Sequence, residues 1–258
     1  MTTASSPVMS SDQVIELMSL LKGVDSVELK LSIPDAARRS TVAALGMDPL
    51  DAQLRQVVFF DTPDLALNRA GVVVRARRIQ GRPGDAVVKL RPVVPDELPD
   101  ELRGDRTFVI EVDALPGGYV CSGAMKAPAE DVRLREVFAG REKVSGLLSK
   151  KQRTLFTPRA GGVGLDDLSV MGPVNVLKLA WRPVDFGRKM VAELWFYPDG
   201  SRILELSTKC PPAEAFTAAA ETRAYLASHG VDLAAEQATK TRSALEFFAG
   251  ELRGVDEA

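Results

Sequence analysis

Five short segments of this chain place charged or hydroxyl-bearing side chains two positions apart in otherwise apolar sequence. Residues i and i+2 of a β-strand point to the same face of the sheet, roughly 6–7 Å apart. Each segment therefore predicts a strand with two polar groups on one face and aliphatic residues on the other. The segments are Glu28-Leu29-Lys30, Arg75-Ala76-Arg77, Lys89-Leu90-Arg91, Glu111-Val112-Asp113 and Glu205-Leu206-Ser207.

The two basic segments lie on either side of a predicted hairpin loop at residues 80–85. They would place four cations on one face of adjacent strands, where like charges repel one another. A polyphosphate would compensate that charge, and the planar guanidinium of arginine matches phosphate oxygens. A solvated strand face is the simpler interpretation of any one segment, but the series of segments favours an interior anion site.

Several carboxylates accompany these cations. In phosphate sites, carboxylates commonly hold Mg²⁺ or Mn²⁺, which bridges them to phosphate oxygens. The alternative is a network of salt bridges inside a crowded barrel, which is costly to bury without a ligand. The candidate metal ligands are Glu28, Glu111, Asp113, Glu193 and Glu205.

Composition and charge argue against several classes of function. Of the 258 residues, 45% are hydrophobic and 26% are charged, which is enough for an ordinary globular core. The formal net charge of -2 argues against general nucleic-acid binding, because such proteins show a basic footprint. The chain has no G-x-x-x-x-G-K-[ST] motif, so side chains rather than a glycine-rich loop would bind phosphate. His229 is the sole histidine, which argues against zinc sites and histidine general-base chemistry.

The sequence also predicts a cellular location. Residues 1–10 lack the basic region and apolar core of a signal peptide, and no apolar run approaches the roughly 20 residues of a membrane span. Cys121 and Cys210 are too few for a disulfide framework. We therefore expect a cytoplasmic, reducing environment and no membrane partner.

The pattern of apolar and polar residues predicts eight or nine strands and four or five helices. The predicted strands cover residues 27–33, 54–61, 72–78, 86–92, 107–113, 151–157, 174–181, 190–196 and 201–207. In the sixth of these, Arg153 and Leu155 would share a face.

Helices are predicted after the capping residues 10–12 and over 34–45, 130–148, 211–228 and 234–252, with residues 1–9 as a flexible tail. A barrel of about eight strands is just wide enough to hold one small ligand. We therefore predict an α+β fold, in which an eight-stranded antiparallel β tunnel, a closed barrel, carries flanking helices. Residues 1–22 would form the tail and a short helix, and residues 23–252 the tunnel domain.

In their order along the chain, these motifs resemble the CYTH superfamily, or triphosphate tunnel metalloenzymes, over roughly residues 26–245. Ser26-x-Glu28-x-Lys30 is similar to the E-x-E-x-K motif of its opening strand, and Phe59-Phe60-Asp61-Thr62 resembles its Y-x-D-T segment. The second, third and fourth charged segments match its R-x-R, K-x-R and E-x-E motifs. Glu205-Leu206-Ser207 falls where E-x-E closes the last strand.

The resemblance implies a tunnel that binds a small triphosphate with Mg²⁺ or Mn²⁺ as cofactor. Family members hydrolyse inorganic triphosphate, thiamine triphosphate or RNA 5′-triphosphates, or convert ATP to cyclic AMP. It also implies catalytic roles for Glu28 and Lys30. The substrate-binding residues that it implies are Arg75, Arg77, Lys89, Arg91, Arg153, Lys178 and Lys240.

Two departures from the family pattern keep three hypotheses open. Ser26 and Ser207 replace acids in the opening and closing motifs, so each position offers a neutral hydroxyl instead of a carboxylate ligand. Triphosphate binding is therefore better supported than metal-dependent hydrolysis. The first hypothesis is a metal-dependent phosphohydrolase, the second is a triphosphate- or polyphosphate-binding module with little turnover, and the third is an adenylate cyclase. The third would need an aromatic platform for adenine, which the sequence does not clearly supply.

Overall fold

The computed structural model describes residues 10–233, 237 and 240–256. Within these ranges nine strands close into one barrel. They are β1 (Ser26–Ile33), β2 (Gln53–Asp61), β3 (Val72–Ile79), β4 (Arg82–Leu90), β5 (Phe108–Leu115), β6 (Gly118–Ala129), β7 (Ser169–Trp181), β8 (Met190–Phe196) and β9 (Arg202–Cys210). Their order around the wall is β1-β5-β6-β4-β3-β2-β7-β8-β9, after which β9 pairs with β1.

The predicted closed barrel is confirmed, with two differences in detail. The wall has nine strands rather than eight, and β1 pairs with β5 in parallel, whereas the other neighbours are antiparallel. The additional strand, β6, was not predicted because its central residues Ser122-Gly123-Ala124 are too small to show an alternation. Gly123 is needed there, since a Cβ atom would lie 2.1 Å from the Phe108 ring.

Eight α-helices occur in the described part of the chain, several of them only one turn long. They are α1 (Ser11–Leu21), α2 (Arg38–Ala44), α3 (Ala66–Arg69), α4 (Asp100–Arg103), α5 (Asp131–Phe138), α6 (Lys150–Phe156), α7 (Ala215–Ser228) and α8 (Lys240–Asp256). The predicted tail at residues 1–9 lies outside the described residues, as does most of 234–239 at the start of the last predicted helix. None of the described helices is both long and apolar enough to cross a membrane.

The strand predicted at 151–157 is wrong, because this segment is helix α6. A capping box starts the helix: Ser149 Oγ accepts from the Gln152 backbone N–H, and Gln152 Oε1 accepts from the Ser149 N–H. The buried Gln152 side chain also donates to the carbonyls of Ala86 and Met125, at 2.9 and 3.0 Å. This local capping, together with contact to β4 and β6, overrides the apparent alternation.

The helix predicted at 130–148 is shorter than expected. Helix α5 ends at Phe138, and Gly140 follows with a φ of 69°, a left-handed conformation that glycine adopts easily. A short 3₁₀ helix, Val144–Gly146, then leads to α6.

The two faces of the barrel wall have different partners. The aliphatic residues of β3 and β4, such as Val74 and Val88, pack outward against α5 and α6 through Leu134 and Phe156. The opposite face, which bears the charged pairs, is therefore the inner face. Alternation along each strand separates these two environments.

Helix α8 packs on the inner face of β2, β7 and β8. Its residues Ala244 and Leu245 contact the apolar cluster that includes Phe59, Val176 and Trp195. One side of the interior is therefore apolar and covered by a helix, and the charged groups are concentrated on the other strands.

Close backbone packing at Gly84 predicts a stability effect. A Cβ atom there would lie 2.1 Å from the Arg77 carbonyl oxygen and 2.5 Å from Leu134 Cδ1. We expect Gly84→Ala to lower the free energy of unfolding by about 1 to 3 kcal/mol, because overpacking forces the backbone to shift. Urea denaturation measures this change. The control is Gly118→Ala, where a Cβ atom meets nothing within 4 Å, and equal stability of the two variants would contradict the prediction.

Candidate functional site

Asp113 on β5 holds together the first polar cluster of the barrel interior. Its side chain is only 2% exposed. Lys30 Nζ lies 2.6 Å from its Oδ1, and Lys89 Nζ and Arg91 Nη2 lie 3.2 and 4.0 Å from its Oδ2. Burial raises the pKa of Asp113, but Lys30 and Lys89, together with Arg91, outweigh this effect and lower it well below its usual range. One carboxylate thus positions three cations from two other strand regions.

Glu28 extends this group, which we call the Asp113 cluster: Asp113, Glu28, Lys30, Lys89 and Arg91. Glu28 Oε2 lies 3.1 Å from Lys30 Nζ, and its Oε1 accepts a hydrogen bond of 2.9 Å from Ser207 Oγ. Burial lowers the pKa of Lys30, but Glu28 and Asp113 outweigh it and raise the pKa above its usual value. Lys30 is therefore a charged lysine shared between two carboxylates.

Two carboxylates of this cluster, together with Glu111, form a group that could hold a metal ion. Ligand oxygens of Glu28, Glu111 and Asp113 lie within 4.8 Å of one another. Ser26 Oγ donates to Glu111 Oε2 at 3.2 Å, and Lys209 Nζ contacts the same oxygen. Carboxylate and hydroxyl oxygens are hard ligands that suit Mg²⁺ and similar cations, so the donor set fits a divalent metal. Lys30 would have to yield part of its contact with Glu28 or Asp113 to such an ion.

Glu193 and Glu205, also predicted as metal ligands, belong to a separate group that we call the Glu193 cluster. They lie opposite each other on β8 and β9. Lys240 Nζ binds both, at 2.5 and 2.7 Å, and Lys178 Nζ lies 2.8 Å from Glu193 Oε1. Burial raises the pKa of Glu193, but Lys240 and Lys178 outweigh it and lower the pKa well below its usual value. The structure therefore surrounds these two acids with lysines and leaves them outside the three-carboxylate group.

The cations of β3 and β4 share the inner face but are staggered. Arg75 lies opposite Val87 and Lys89 opposite Val73, so the register avoids the direct like-charge pairs expected from the sequence. Arg77 lies opposite Asp85 and binds it through two hydrogen bonds of 2.8 and 3.0 Å. Staggering reduces the cross-strand repulsion but leaves the cations near each other.

Arg75 is the inner-face guanidinium whose charge is least compensated. Its Nε is buried without a hydrogen-bond partner, and none of the described carboxylates lies within salt-bridge distance of it. Burial and the neighbouring Arg77 lower the pKa of Arg75 to about 10. A buried guanidinium nitrogen without an acceptor is costly, so an anion that supplied an acceptor for Nε would stabilise Arg75.

Most of the predicted substrate-binding residues lie together on the inner face, but Arg153 does not. Arg153 is on α6, where its Nη1 donates to the backbone carbonyls of Ser145 and Leu148. Arg153 was predicted to lie on a strand, but this segment forms helix α6.

The sequence analysis missed four charged residues of the interior and its rim. Arg55 on β2 shares a face with Val57, and as a single cation among apolar residues it offered only a weak signal. Asp85 precedes Lys89 by four residues and Lys209 follows Ser207 by two, so extending these two pairs along their strands would have found them. Lys126 lies on β6, which was not predicted as a strand. The four are Arg55, Asp85, Lys126 and Lys209.

Two solved structures share this fold at low sequence identity. HpAC1 from Hippeastrum, described as a candidate adenylyl cyclase with a dominant triphosphatase activity, is 19% identical, with a TM-score of 0.61 and coverage of 83% of this chain and 92% of its own. A candidate adenylate cyclase of Bacillus halodurans is 11% identical, with a TM-score of 0.59 and coverage of 85% and 97%. No protein-family model and no curated protein sequence matches this chain. At these identities the likeness is one of fold alone, and it agrees with the predicted barrel with flanking helices.

The uncompensated charge of Arg75 predicts opposite effects on binding and on stability. We expect Arg75→Met to weaken tripolyphosphate binding by about 1.5 to 3 kcal/mol, the range for hydrogen bonds to charged groups. The same change should leave the ligand-free protein at least as stable, because it removes a guanidinium whose buried Nε has no acceptor and which forms no salt bridge with a described carboxylate. Calorimetric titration and thermal unfolding measure the two effects. Arg153→Ala is the control, and an affinity loss there as large as in Arg75→Met would contradict an interior site.

Proposed function

We propose that this chain binds a small triphosphate in the barrel interior and hydrolyses it with a divalent metal ion. The observation that carries the proposal is the Arg75 guanidinium, whose buried Nε lacks an acceptor and which forms no salt bridge with a described carboxylate, within an interior where cations outnumber carboxylates. The six carboxylates are Glu28, Asp85, Glu111, Asp113, Glu193 and Glu205, and the nine cations are Lys30, Arg75, Arg77, Lys89, Arg91, Lys126, Lys178, Lys209 and Lys240. A triphosphate is a compact anion that would offset this excess.

The cations have distinct roles in this proposal. Arg75 and Arg77 would make planar, charge-assisted hydrogen bonds to phosphate oxygens, with Lys89 and Arg91 on the adjacent strand. Lys178 and Lys240 would exchange part of their contact with Glu193 for contact with the ligand. Phosphoryl transfer depends mainly on positioning and on electrostatic stabilisation, which a rigid cluster of paired cations supplies.

Glu28, Glu111 and Asp113 are the residues that would hold Mg²⁺ or Mn²⁺. When bound, such an ion would neutralise phosphate oxygens and acidify a water molecule for attack. Ser26 and Ser207 donate hydrogen bonds to Glu111 and Glu28, so they orient these carboxylates without adding negative charge. Glu28 and Lys30 are the proposed catalytic residues, Glu28 through the metal and Lys30 through charge stabilisation beside it.

The substrate is proposed to be inorganic, thiamine or nucleoside triphosphate. The dominant triphosphatase activity ascribed to HpAC1 supports hydrolysis over cyclisation, although the likeness itself concerns the fold. We also propose a reducing, cytoplasmic location, since both Cys121 and Cys210 are buried free thiols and burial raises the pKa of Cys121 to about 11.

A panel of triphosphates tests the proposed function. Purified protein is incubated with tripolyphosphate, thiamine triphosphate or ATP, each with Mg²⁺ or Mn²⁺, and released phosphate and cyclic AMP are measured. Phosphate release from at least one substrate supports the proposal. Tight binding without turnover would instead identify a binding module, cyclic AMP would identify a cyclase, and the absence of binding would overturn all three.

Ser26 lies beside the proposed metal ligands, so replacing it with an acid should raise the affinity for a divalent metal. We expect Ser26→Glu to tighten Mn²⁺ binding about tenfold, equivalent to about 1.4 kcal/mol, because divalent affinity rises with ligand charge. Electron paramagnetic resonance of free Mn²⁺ measures this without substrate. Ser26→Gln is the control of equal size, and the same gain in both variants would show that charge is not the cause.

The interior cations predict that triphosphate binding does not require the metal. Arg77 and Lys89 are held by ion pairs with Asp85 and Asp113, and Arg75 lies on the same inner face of the wall, so their attraction for an anion persists when divalent ions are removed. We expect tripolyphosphate to bind in the presence of EDTA, with phosphate release abolished. Complete loss of binding on chelation would mean that the metal is an integral part of the anion site.

A further inference from the structure

A surface cavity of about 680 Å³ lies where the β3–β4 hairpin turns, at one end of the barrel. Strand β2, the hairpin and the start of α5 form its walls. Its charged lining comprises four arginines and two acids, which are Arg55, Arg78, Arg82, Arg135, Glu130 and Asp131. The cavity is distinct from the Asp113 and Glu193 clusters, none of whose residues lines it.

Charge is balanced on one wall of this cavity and unbalanced on the other. Asp131 accepts hydrogen bonds from Arg78 Nε at 2.6 Å and from Arg135 Nε at 2.8 Å. In contrast, no carboxylate among the described residues lies within salt-bridge distance of Arg55 or Arg82, and Glu130 forms no ion pair with either. The excess positive charge is therefore on the wall formed by β2 and the hairpin.

Arg55 connects this wall with the barrel interior. Its residue is 9% exposed, its Nη2 donates to Gln53 Oε1 at 2.8 Å, and its Nε is buried without an acceptor. It lies two positions from Val57, which is opposite Arg77 on β3. Burial, Arg77 and Arg82 lower the pKa of Arg55 and outweigh Glu193 and Asp85, which raise it, so its guanidinium lies in the field of both neighbouring arginines. Arg55 and Arg82 both lie opposite Ile79, on the strands at its two sides, and Arg75 and Arg77 precede Ile79 along β3.

We propose that Arg55 and Arg82 form an additional anion subsite, which binds a phosphoryl group beyond the three held by the interior cations. The chain would then prefer linear tetrapolyphosphate to tripolyphosphate. This inference rests on the proposed function, because the fourth phosphoryl group reaches the cavity only when the other three occupy the interior. Guanidinium groups with unused donors bind phosphate oxygens strongly, and the balance of charge in the cavity favours phosphate over an apolar substituent.

Calorimetric titration with tri- and tetrapolyphosphate, without metal so that neither is hydrolysed, tests the subsite. We expect the parent protein to bind tetrapolyphosphate about tenfold more tightly, and Arg55→Gln to bind both within about twofold of each other. Tripolyphosphate affinity should change little in this variant. Arg135→Gln, which alters a paired arginine of the opposite wall, is the control and should keep the tenfold preference. Because Arg82 is exposed, Arg82→Gln tests the subsite independently of any folding defect in Arg55→Gln.

Each other result overturns the inference. A parent protein that binds both anions equally has no fourth subsite, although tripolyphosphate binding would still support the proposed function. Equal losses for both anions in Arg55→Gln would place Arg55 among the general interior cations. An Arg55-dependent preference for ATP over both anions would mean that the cavity receives a nucleoside. If the parent binds neither anion, the proposed function fails as well.

Discussion

Every strand of a closed barrel is paired on both sides, so no further strand can be added to the wall. The charged side chains on its inner face therefore depend on partners inside the barrel. In this chain the carboxylates are fewer than the cations that need them. Asp113 serves three cations and Glu193 serves two, while Arg75 has no carboxylate within salt-bridge distance among the described residues. This shortage of carboxylates determines which cations are paired, and it leaves positive charge that can bind an anion.

Fixed ion pairs also explain why the site can be rigid without a ligand. Charged side chains of lysine and arginine lose considerable rotamer freedom when they are ordered, and here protein carboxylates have already ordered Lys30 and Lys89. A ligand that replaces or shares these carboxylates meets cations already in place, which lowers the entropic cost of binding. The same pairs oppose a metal ion, because Lys30 occupies the region between Glu28 and Asp113.

The barrel and much of its charged lining could be predicted because side-chain direction in a strand follows directly from sequence spacing. Glu28 and Lys30 had to share a face once β1 was identified. The division of the acids into two clusters could not be predicted, because it depends on which lysine each strand register brings near, as with Lys178 and Glu193. The strand prediction for residues 151–157 failed for a local reason. The apolar spacing of this segment fits a strand, but the cap at Ser149 and the contacts of Gln152 select a helix.

Helix α8 contributes both apolar cover and a cation to the inner face, and this has a consequence for biosynthesis. The ribosome completes β8 and β9, with Glu193 facing Glu205, before it adds Lys240, which neutralises both. Until that residue emerges, Lys178 is the one described lysine in salt-bridge contact with this facing pair of acids, and the apolar side of the interior remains uncovered. Because α8 is translated after β8 and β9, the order of translation favours late closure of the barrel, when α8 is available to pack against it.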